Sequence, residues 1–255
     1  MLYFAGMQSF VRVVDLETTG SRPPSHGVCE IGWQDVVKSD GGWEVGGACG
    51  SILVDPERPI PAITQAVHHI TDEDVEGAPA FRDVAKDILR PGEGCLALAA
   101  HRASFERRFC TDELTGGAEW ICTWKSALRC FPDSPSFSNQ VLKYWRRPQG
   151  LDRQRALPVH RAFPDAYTSA YLLRDMLNLK GAELLIAWSH DPGLLPRVPR
   201  GDHRGSRWTE LSDQEILTFT SDRDPDIRYT AEREAARRGK GKKDKTPRPL
   251  QGSLL

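Results

Sequence analysis

Two acidic residues close an apolar, β-branched segment near the start of the chain. The segment Phe10–Val14 runs directly into Asp15, and Glu17 follows two positions later. Alternate residues of a strand point to the same side, so both carboxylates are expected on one face. Two acids on one face repel each other unless a cation lies between them, and clustered carboxylate oxygens suit Mg²⁺ or Mn²⁺. The pair therefore indicates a metal site, with two solvated strand-end acids as the alternative.

A histidine and an aspartate five residues apart form a second candidate group. Pro164 is tolerated in the first turn of a helix. Its position places His160 on the preceding loop and Asp165 at the helix start, where both side chains can face one pocket. Taken alone, a histidine at this position is more often a solvated loop residue.

Three segments together resemble the DnaQ-like DEDDh 3'→5' exonucleases, and most closely the exodeoxyribonuclease X branch of that superfamily. Val14–Gly20 (VDLETTG) is similar to the first motif, Ala100–Glu106 (AHRASFE) to the middle motif, and His160–Ala166 (HRAFPDA) to the last. Three motifs in the expected order are a stronger signal than any one of them. The resemblance covers about residues 8 to 178.

The resemblance implies a ribonuclease H-like sheet whose four carboxylates bind two divalent ions. By position these ligands are Asp15, Glu17, Glu106 and Asp165, with His160 as the general base. A pair of ions ~3.5–4 Å apart stabilises the attacking and leaving oxygens of a phosphodiester together. Histidine accepts a proton from water near neutral pH. The implied cofactor is two Mg²⁺ ions, for which Mn²⁺ can substitute.

Two positions depart from the family's middle motif. Glu106 stands where the family has aspartate, so its carboxylate lies one methylene further from the backbone and can shift one metal ion. Arg102 stands where the family has asparagine, and an arginine meets a phosphate more naturally than a metal ion. No carboxylate has become neutral, so an active enzyme is expected. Glu106 as a solvated helix acid is the alternative.

A basic and aromatic segment precedes the last motif. Lys143–Arg147 (KYWRR) combines cations that contact phosphates with rings that stack on bases, which is typical of single-strand binding. Alternatively, Leu142 and Trp145 form the packed face of a short helix and the cations are merely solvated. Together with residues near the motifs, the candidate nucleic-acid-binding residues are Thr18, His69, Arg102, Arg107, Tyr144, Arg146 and Arg147.

The elements that must position these residues alternate between strands and helices. A turn at residues 39–42 between two apolar segments predicts an antiparallel hairpin. Strands are predicted near residues 10–15, 28–37, 48–54, 95–100 and 120–122, and helices near 61–68, 80–89, 124–130, 139–146 and 165–179. This order predicts an α/β fold: a mixed sheet flanked by helices, with a small C-terminal appendage. It agrees with the ribonuclease H-like fold that the resemblance implies.

The chain is predicted to have three parts. Residues 7–179 form the exonuclease domain, residues 180–238 a small module of unknown role, and residues 239–255 a basic disordered tail. Met7 is an alternative start. Gly201–Trp208 (GDHRGSRW) resembles a motif seen after such exonuclease domains. Trp208 is predicted to anchor a small core, while His203 and Arg204 are candidates to extend the nucleic-acid track.

Composition limits the partners. The 255 residues include 34 Lys and Arg against 35 Asp and Glu, so nucleic-acid binding must depend on local patches. No apolar run approaches the ~18 residues that a spanning helix needs, so no membrane partner is expected. The six cysteines are dispersed and lack a C-x-x-C pair, which predicts reduced thiols in the cytoplasm.

Together these patterns predict a metal-dependent 3'→5' exonuclease that acts on the 3' ends of DNA. The basic and aromatic segment favours single-stranded ends, and the expected setting is DNA repair or end processing. The alternatives are a 3'→5' exoribonuclease of the same fold, a nucleic-acid-binding module with weakened catalysis, and a docking partner of a polymerase or repair complex.

Overall fold

The computed structural model describes residues 8–243, and side chains through residue 239. The alternative start at Met7 and residues 244–255 of the predicted tail lie outside the described residues. The chain divides into two compact units, with the division between Asp191 and Pro192.

The first unit is built on a five-stranded sheet with the order β3-β2-β1-β4-β5. β1 pairs antiparallel with β2 and parallel with β4, β2 and β3 form the predicted hairpin, and β5 lies parallel to β4. The predicted mixed sheet is therefore confirmed. Its strands are β1 (Phe10–Thr18), β2 (Val28–Ser39), β3 (Gly42–Leu53), β4 (Cys95–Ala100) and β5 (Trp120–Cys122).

Helices of the first unit flank this sheet. One of them, α8, lies within residues 180–238, the range predicted for the C-terminal module, and ends before Pro192. The described helices are α1 (Ala62–His68), α2 (Phe81–Leu89), α3 (Glu106–Phe109), α4 (Asp112–Thr115), α5 (Thr123–Cys130), α6 (Asn139–Arg146), α7 (Ala162–Lys180) and α8 (Ala182–His190).

The two faces of the central strand β1 have different neighbours. Val11 and Val13 point to one face, where they belong to the same buried cluster as Ala166 and Ala170 of α7. Arg12 points to the other face and donates a hydrogen bond to the carbonyl oxygen of Ile88 at the end of α2. Burial on both faces explains why the segment is apolar and β-branched.

The second unit has a small core of its own. Trp208 is buried there and meets Phe219 edge to face, as expected of a core anchor. Ser212 caps α9 (Asp213–Phe219) in a capping box with Glu215. The last helix, α10 (Pro225–Lys243), runs into the segment that was predicted to be a disordered tail.

Among the described residues, no helix combines the length and the apolar character needed to cross a membrane.

Candidate active site

The first two acids extend the row of side chains that packs under α7. Asp15 and Glu17 alternate with their neighbours along β1 and share a face with Val11 and Val13, as the period-2 geometry requires. Because α7 covers that face, both carboxylates point toward its first turn.

A close approach between β2 and α7 fixes where that first turn lies. A Cβ atom added to Gly32 would lie 2.3 Å from the carbonyl carbon of Ala162, so only glycine fits beneath the helix start. Asp165 lies in the first turn, as the spacing from Pro164 predicts. One carboxylate oxygen from each of Asp15, Glu17 and Asp165 lies within 4.8 Å of the other two.

Both oxygens of Asp165 are held by hydrogen bonds. The backbone N–H of His160 donates to Oδ2 at 2.7 Å, and Nε2 of Gln140 donates to Oδ1 at 2.8 Å. Asn139 also donates to the carbonyl oxygen of Asp165 at 3.2 Å. These bonds orient the carboxylate with respect to β1 before any ligand binds.

The fourth acid, Glu106, is the first residue of α3 and is only 3% exposed. This burial excludes the alternative of a solvated helix acid. Glu106 lies outside the group whose oxygens meet within 4.8 Å, yet its charge raises the pKa of Asp15. Its Oε2 atom is buried and has no hydrogen-bond partner. A buried carboxylate oxygen without a partner is costly unless a ligand satisfies it.

The loop that carries Glu106 is pinned by His101. The Nδ1 atom of His101 lies 3.0 Å from the hydroxyl of Thr123, and Nε2 lies 2.9 Å from the carbonyl oxygen of Phe137. Burial lowers the pKa of His101 to about 4, so the ring is neutral at neutral pH. A neutral ring donates one of these bonds and accepts the other.

Burial and mutual repulsion disfavour the charged forms of the clustered acids. Burial, and then the charges of Glu17, Asp165 and Glu106, raise the pKa of Asp15 well above its usual value. Burial and the charges of Asp165 and Glu30 raise the pKa of Glu17 to about 8. Burial, with a contribution from Glu17, raises the pKa of Glu106 to about 8.

The four acids fit divalent cations by their chemistry. They offer hard oxygen donors and an Oε2 atom on Glu106 that has no hydrogen-bond partner. Within residues 8–243, none of them forms an ion pair with a lysine or arginine.

A buried ion pair supports the loop before α7, and the sequence analysis did not identify it. Arg161 donates to both carboxylate oxygens of Glu30, at 2.8 and 3.0 Å, and the N–H of Ala162 donates to the same carboxylate at 3.0 Å. Glu30 pairs directly with Glu17 across β1 and β2. An acid inside an otherwise apolar strand was the available signal, but its partner lies 131 residues away.

His160 lies beside this ion pair on an exposed loop. Its backbone has a positive φ of 60°, and its N–H is the group that binds Asp165. His160 is therefore exposed to solvent, with its backbone held next to Asp165.

The candidate nucleic-acid contacts lie in several surroundings. Thr18 is buried, and its hydroxyl donates to the carbonyl oxygen of Gly20 at 2.8 Å. His69 is exposed with a positive φ at the end of α1. The exposed Arg102 has its guanidinium 4.3 Å above the ring of Trp124. Arg107 is exposed on α3.

The basic and aromatic segment of α6 divides between two surroundings. Leu142 is buried in the core, as the packed-face alternative predicts, whereas Trp145 meets Phe131 edge to face but is 41% exposed. Arg146 lies over the ring of Phe131 at 4.6 Å. The other members of the segment, Lys143, Tyr144 and Arg147, line a pocket.

The sheet order, and the acids at the end of its central strand, define a ribonuclease H-like exonuclease fold. The structure matches a solved structure of exonuclease X in complex with 5' overhanging duplex DNA with a TM-score of 0.55 and 34% identity, covering 70% of this chain and 99% of that one. A 3'-exonuclease that recognises the histone mRNA stem-loop shares the fold, with a TM-score of 0.51 and 16% identity over 68% of this chain and 65% of that one.

Sequence comparison agrees with the fold. The RNase_T family model, described as an exonuclease, matches residues 13–173. Exodeoxyribonuclease 10 of Escherichia coli (strain K12) is 34% identical over 207 residues, which cover 80% of this chain and 86% of the relative. The chain belongs to this exonuclease family, and the resemblance carried by the three motifs, including that to the exodeoxyribonuclease X branch, is confirmed.

Proposed function

We propose that this exonuclease hydrolyses DNA from the 3' end, prefers single-stranded ends, and acts in DNA repair or end processing. The observation that carries the proposal is the convergence of Asp15, Glu17 and Asp165 at the end of β1, with Glu106 buried nearby. The similarity to exodeoxyribonuclease 10 over most of both chains supports DNA as the substrate.

The four acids are the residues that would hold the metal ions, with Mg²⁺ as the proposed cofactor and Mn²⁺ as a substitute. When bound, a pair of such ions supplies positive charge to the attacking and leaving oxygens of the phosphodiester. The chain's own contribution is to hold the carboxylates in place. Gln140 and the N–H of His160 orient Asp165, and the Arg161–Glu30 pair fixes the loop beside it.

His160 is the proposed general base. The residue is exposed and its backbone is bound to Asp165, so a ring nitrogen within reach of the site would take a proton from the attacking water. The hydrogen bond from its N–H to Asp165 holds the backbone of this residue beside the carboxylates.

The cytoplasm is the proposed compartment. All six cysteines are free in the structure, which suits a reducing environment.

The test uses the full chain and a 5'-labelled single-stranded DNA oligonucleotide, a matched duplex and a matched RNA. We expect a ladder of products that shortens from the 3' end in Mg²⁺ or Mn²⁺ and disappears with a chelator. Asp15→Asn should abolish the ladder, whereas Asp87→Asn, which neutralises an exposed acid on α2, should leave it unchanged.

Each other pattern has a definite meaning. Faster cleavage of RNA than of DNA would assign the chain to RNA processing, and faster cleavage of the duplex would remove the single-strand preference. Binding without cleavage in either metal would contradict the enzyme proposal and favour a binding module.

A further inference from the structure

A pocket of about 520 Å³ is formed by α6 and the loop that follows it. Its volume is within the range of small-ligand sites. The lining residues that matter for the argument are Lys143, Tyr144, Arg147, Leu151, Arg153 and Leu157.

The lining combines positive charge with apolar and aromatic surface. Three of its side chains are cations and none is an acid, so the pocket attracts anions. Tyr144 is 56% exposed and offers a ring for stacking, while two leucines supply apolar walls. Cations for a phosphate together with a ring for a base are the features that recognise a nucleotide in a single strand.

Lys143 provides a second, independent observation. Lys143 is only 6% exposed, and among the described side chains its ammonium has no hydrogen bond and no ion pair. The ammonium lies 5.0 Å from the centre of the Tyr144 ring, and its charge helps to lower the pKa of Asp165. Lysine is seldom buried without an anionic partner. An anion that enters the pocket would give Lys143 a partner at hydrogen-bond distance, which Asp165 does not provide.

Helix α6 contributes side chains both to the pocket and to the support of Asp165. Lys143 and Gln140 are three residues apart, so their side chains are neighbours on one face, ~5–6 Å apart at Cβ. Gln140 donates to the carboxylate of Asp165. The positive charge of Lys143 also helps to lower the pKa of Asp165, against the larger effect of burial, which raises it.

We propose that this pocket binds the nucleotide next to the one being removed, with its base against Tyr144 and its phosphate on Lys143, Arg147 and Arg153. The proposal rests on the proposed function, since it assumes that a DNA strand enters the site. It narrows the sequence prediction, because Arg146 is not part of the pocket and Lys143 and Arg153 are.

Arg146 serves as the matched control. It lies on the same helix and carries the same charge as its neighbour Arg147, but its guanidinium lies over Phe131 and Trp145. Removal of its charge therefore tests general electrostatic attraction without changing the pocket.

The experiment measures binding of a fluorescein-labelled single-stranded DNA to the full chain by anisotropy, with a chelator present so that no cleavage occurs. We expect Tyr144→Ala and Arg153→Gln each to raise Kd at least fivefold, and Arg146→Gln to change it less than twofold. Arg153→Gln should also reduce the slope of log K against log salt by about 0.7. Equal affinities for all variants, or equal weakening by Arg146→Gln, would overturn the proposal.

Competitors of different length show whether the pocket binds the neighbouring nucleotide or the released mononucleotide. Competition with dAMP, a dinucleotide and a trinucleotide should show that affinity of the wild-type protein rises beyond one nucleotide, and that Tyr144→Ala removes this increase. If Tyr144→Ala instead weakens dAMP binding, the pocket holds the product and the proposal is wrong.

These outcomes are distinct from failure of the proposed function, because binding is measured without hydrolysis. Kinetics provide a second readout: Tyr144→Ala should raise KM for a long strand and leave kcat unchanged. A protein that binds DNA in this pattern but never cleaves it would refute the proposed function and retain the pocket.

Discussion

The sheet carries two kinds of buried acid, and they differ in what neutralises them. Asp35 on β2 accepts two hydrogen bonds from Arg12, at 2.7 and 2.9 Å, and one from the N–H of Ala48. Glu30 on the same strand is matched by Arg161 in the same two-pronged way. The acids at the end of β1 and on α3 and α7 have no such partner among the described residues.

The difference shows how one scaffold separates structure from chemistry. An arginine that meets both carboxylate oxygens satisfies charge and hydrogen bonding together, so the acid becomes part of the framework. Acids without an arginine partner remain available as ligands for a cation. Glu30 shares features of both groups of acids, since it lies opposite Glu17 in the sheet but is paired with Arg161.

The largest effect is expected when one of the unmatched acids is neutralised. Asp15→Asn should lower kcat/KM on DNA by about 10³-fold or more, because several kcal/mol of metal-derived stabilisation are lost. The same change relieves repulsion within the cluster, so the melting temperature without metal should rise by about 2–4 °C. Nuclease assays and calorimetry in a chelator measure the two quantities.

A fall in melting temperature would contradict the comparison, because it would mean that Asp15 stabilises the fold as the arginine-matched acids do. Asp87→Asn is the control for loss of an exposed acid and should change neither quantity.

The second prediction concerns the Arg161–Glu30 ion pair next to the carboxylate cluster. Arg161→Gln leaves Glu30 buried without its partner and should reduce the free energy of unfolding by about 2–3 kcal/mol. This is below the cost for a fully buried pair, since the side chain of Arg161 is 33% exposed. Denaturant titration measures the change, and Glu30→Gln combined with Arg161→Gln should recover much of it.

Arg12→Gln breaks the other pair and separates stability from activity. We expect the free energy of unfolding to fall by about 3–5 kcal/mol, because Arg12 and Asp35 are both buried. The kcat of the folded protein should be preserved. Arg161→Gln should lower kcat as well, since the loop of His160 loses its anchor. Equal effects of Arg12→Gln and Arg161→Gln on kcat would show that the Arg161–Glu30 pair does not position the active-site loop.

A third prediction concerns pH and the neutral ring of His101. Its pKa is lowered from the ordinary 6.5 to about 4 in the folded protein, so the unfolded chain binds the proton first as pH falls. The stability from this residue is complete well above pH 6.5 and decreases toward pH 4, by about 3 kcal/mol. His101→Gln should remove this part of the pH dependence, which thermal unfolding in a chelator at several pH values measures. Identical pH profiles for the two proteins would refute the assignment.

The smallest effect is expected at Gln140, a positioning residue. Gln140→Ala removes the donor to Oδ1 of Asp165 and should lower kcat about tenfold while KM for DNA stays constant. Steady-state kinetics separate the two parameters. A change in KM alone would place Gln140 in strand binding instead of in the orientation of Asp165.

The sequence was sufficient where function depends on local periodicity. The alternation along β1 predicts that Asp15 and Glu17 share a face, and Pro164 predicts that Asp165 lies in a first helical turn. Both features follow from neighbours in the chain, and the structure contains both. The mixed sheet was likewise predictable from the order of short apolar segments and the turn at residues 39–42.

The sequence was insufficient where contacts join distant segments. The pairing of Glu30 with Arg161 spans 131 residues, and Gln140 reaches Asp165 from a different helix. The burial of Lys143 could not be read from a segment that looked uniformly basic, because it depends on how α6 packs against α7. Long-range packing, and not residue type, decides these positions.

The convergence of β1 and α7 also has a consequence for biosynthesis. The carboxylate cluster combines residue 15 with residue 165, and Gly32 must receive the first turn of α7 before the two meet. A nascent chain that has emerged only as far as the β2–β3 hairpin contains Asp15 and Glu17 but lacks Glu106 and Asp165, so the carboxylate cluster cannot form. We therefore expect nuclease activity to arise late in translation, after α7 has left the ribosome and docked, so that incomplete chains are harmless to nucleic acid.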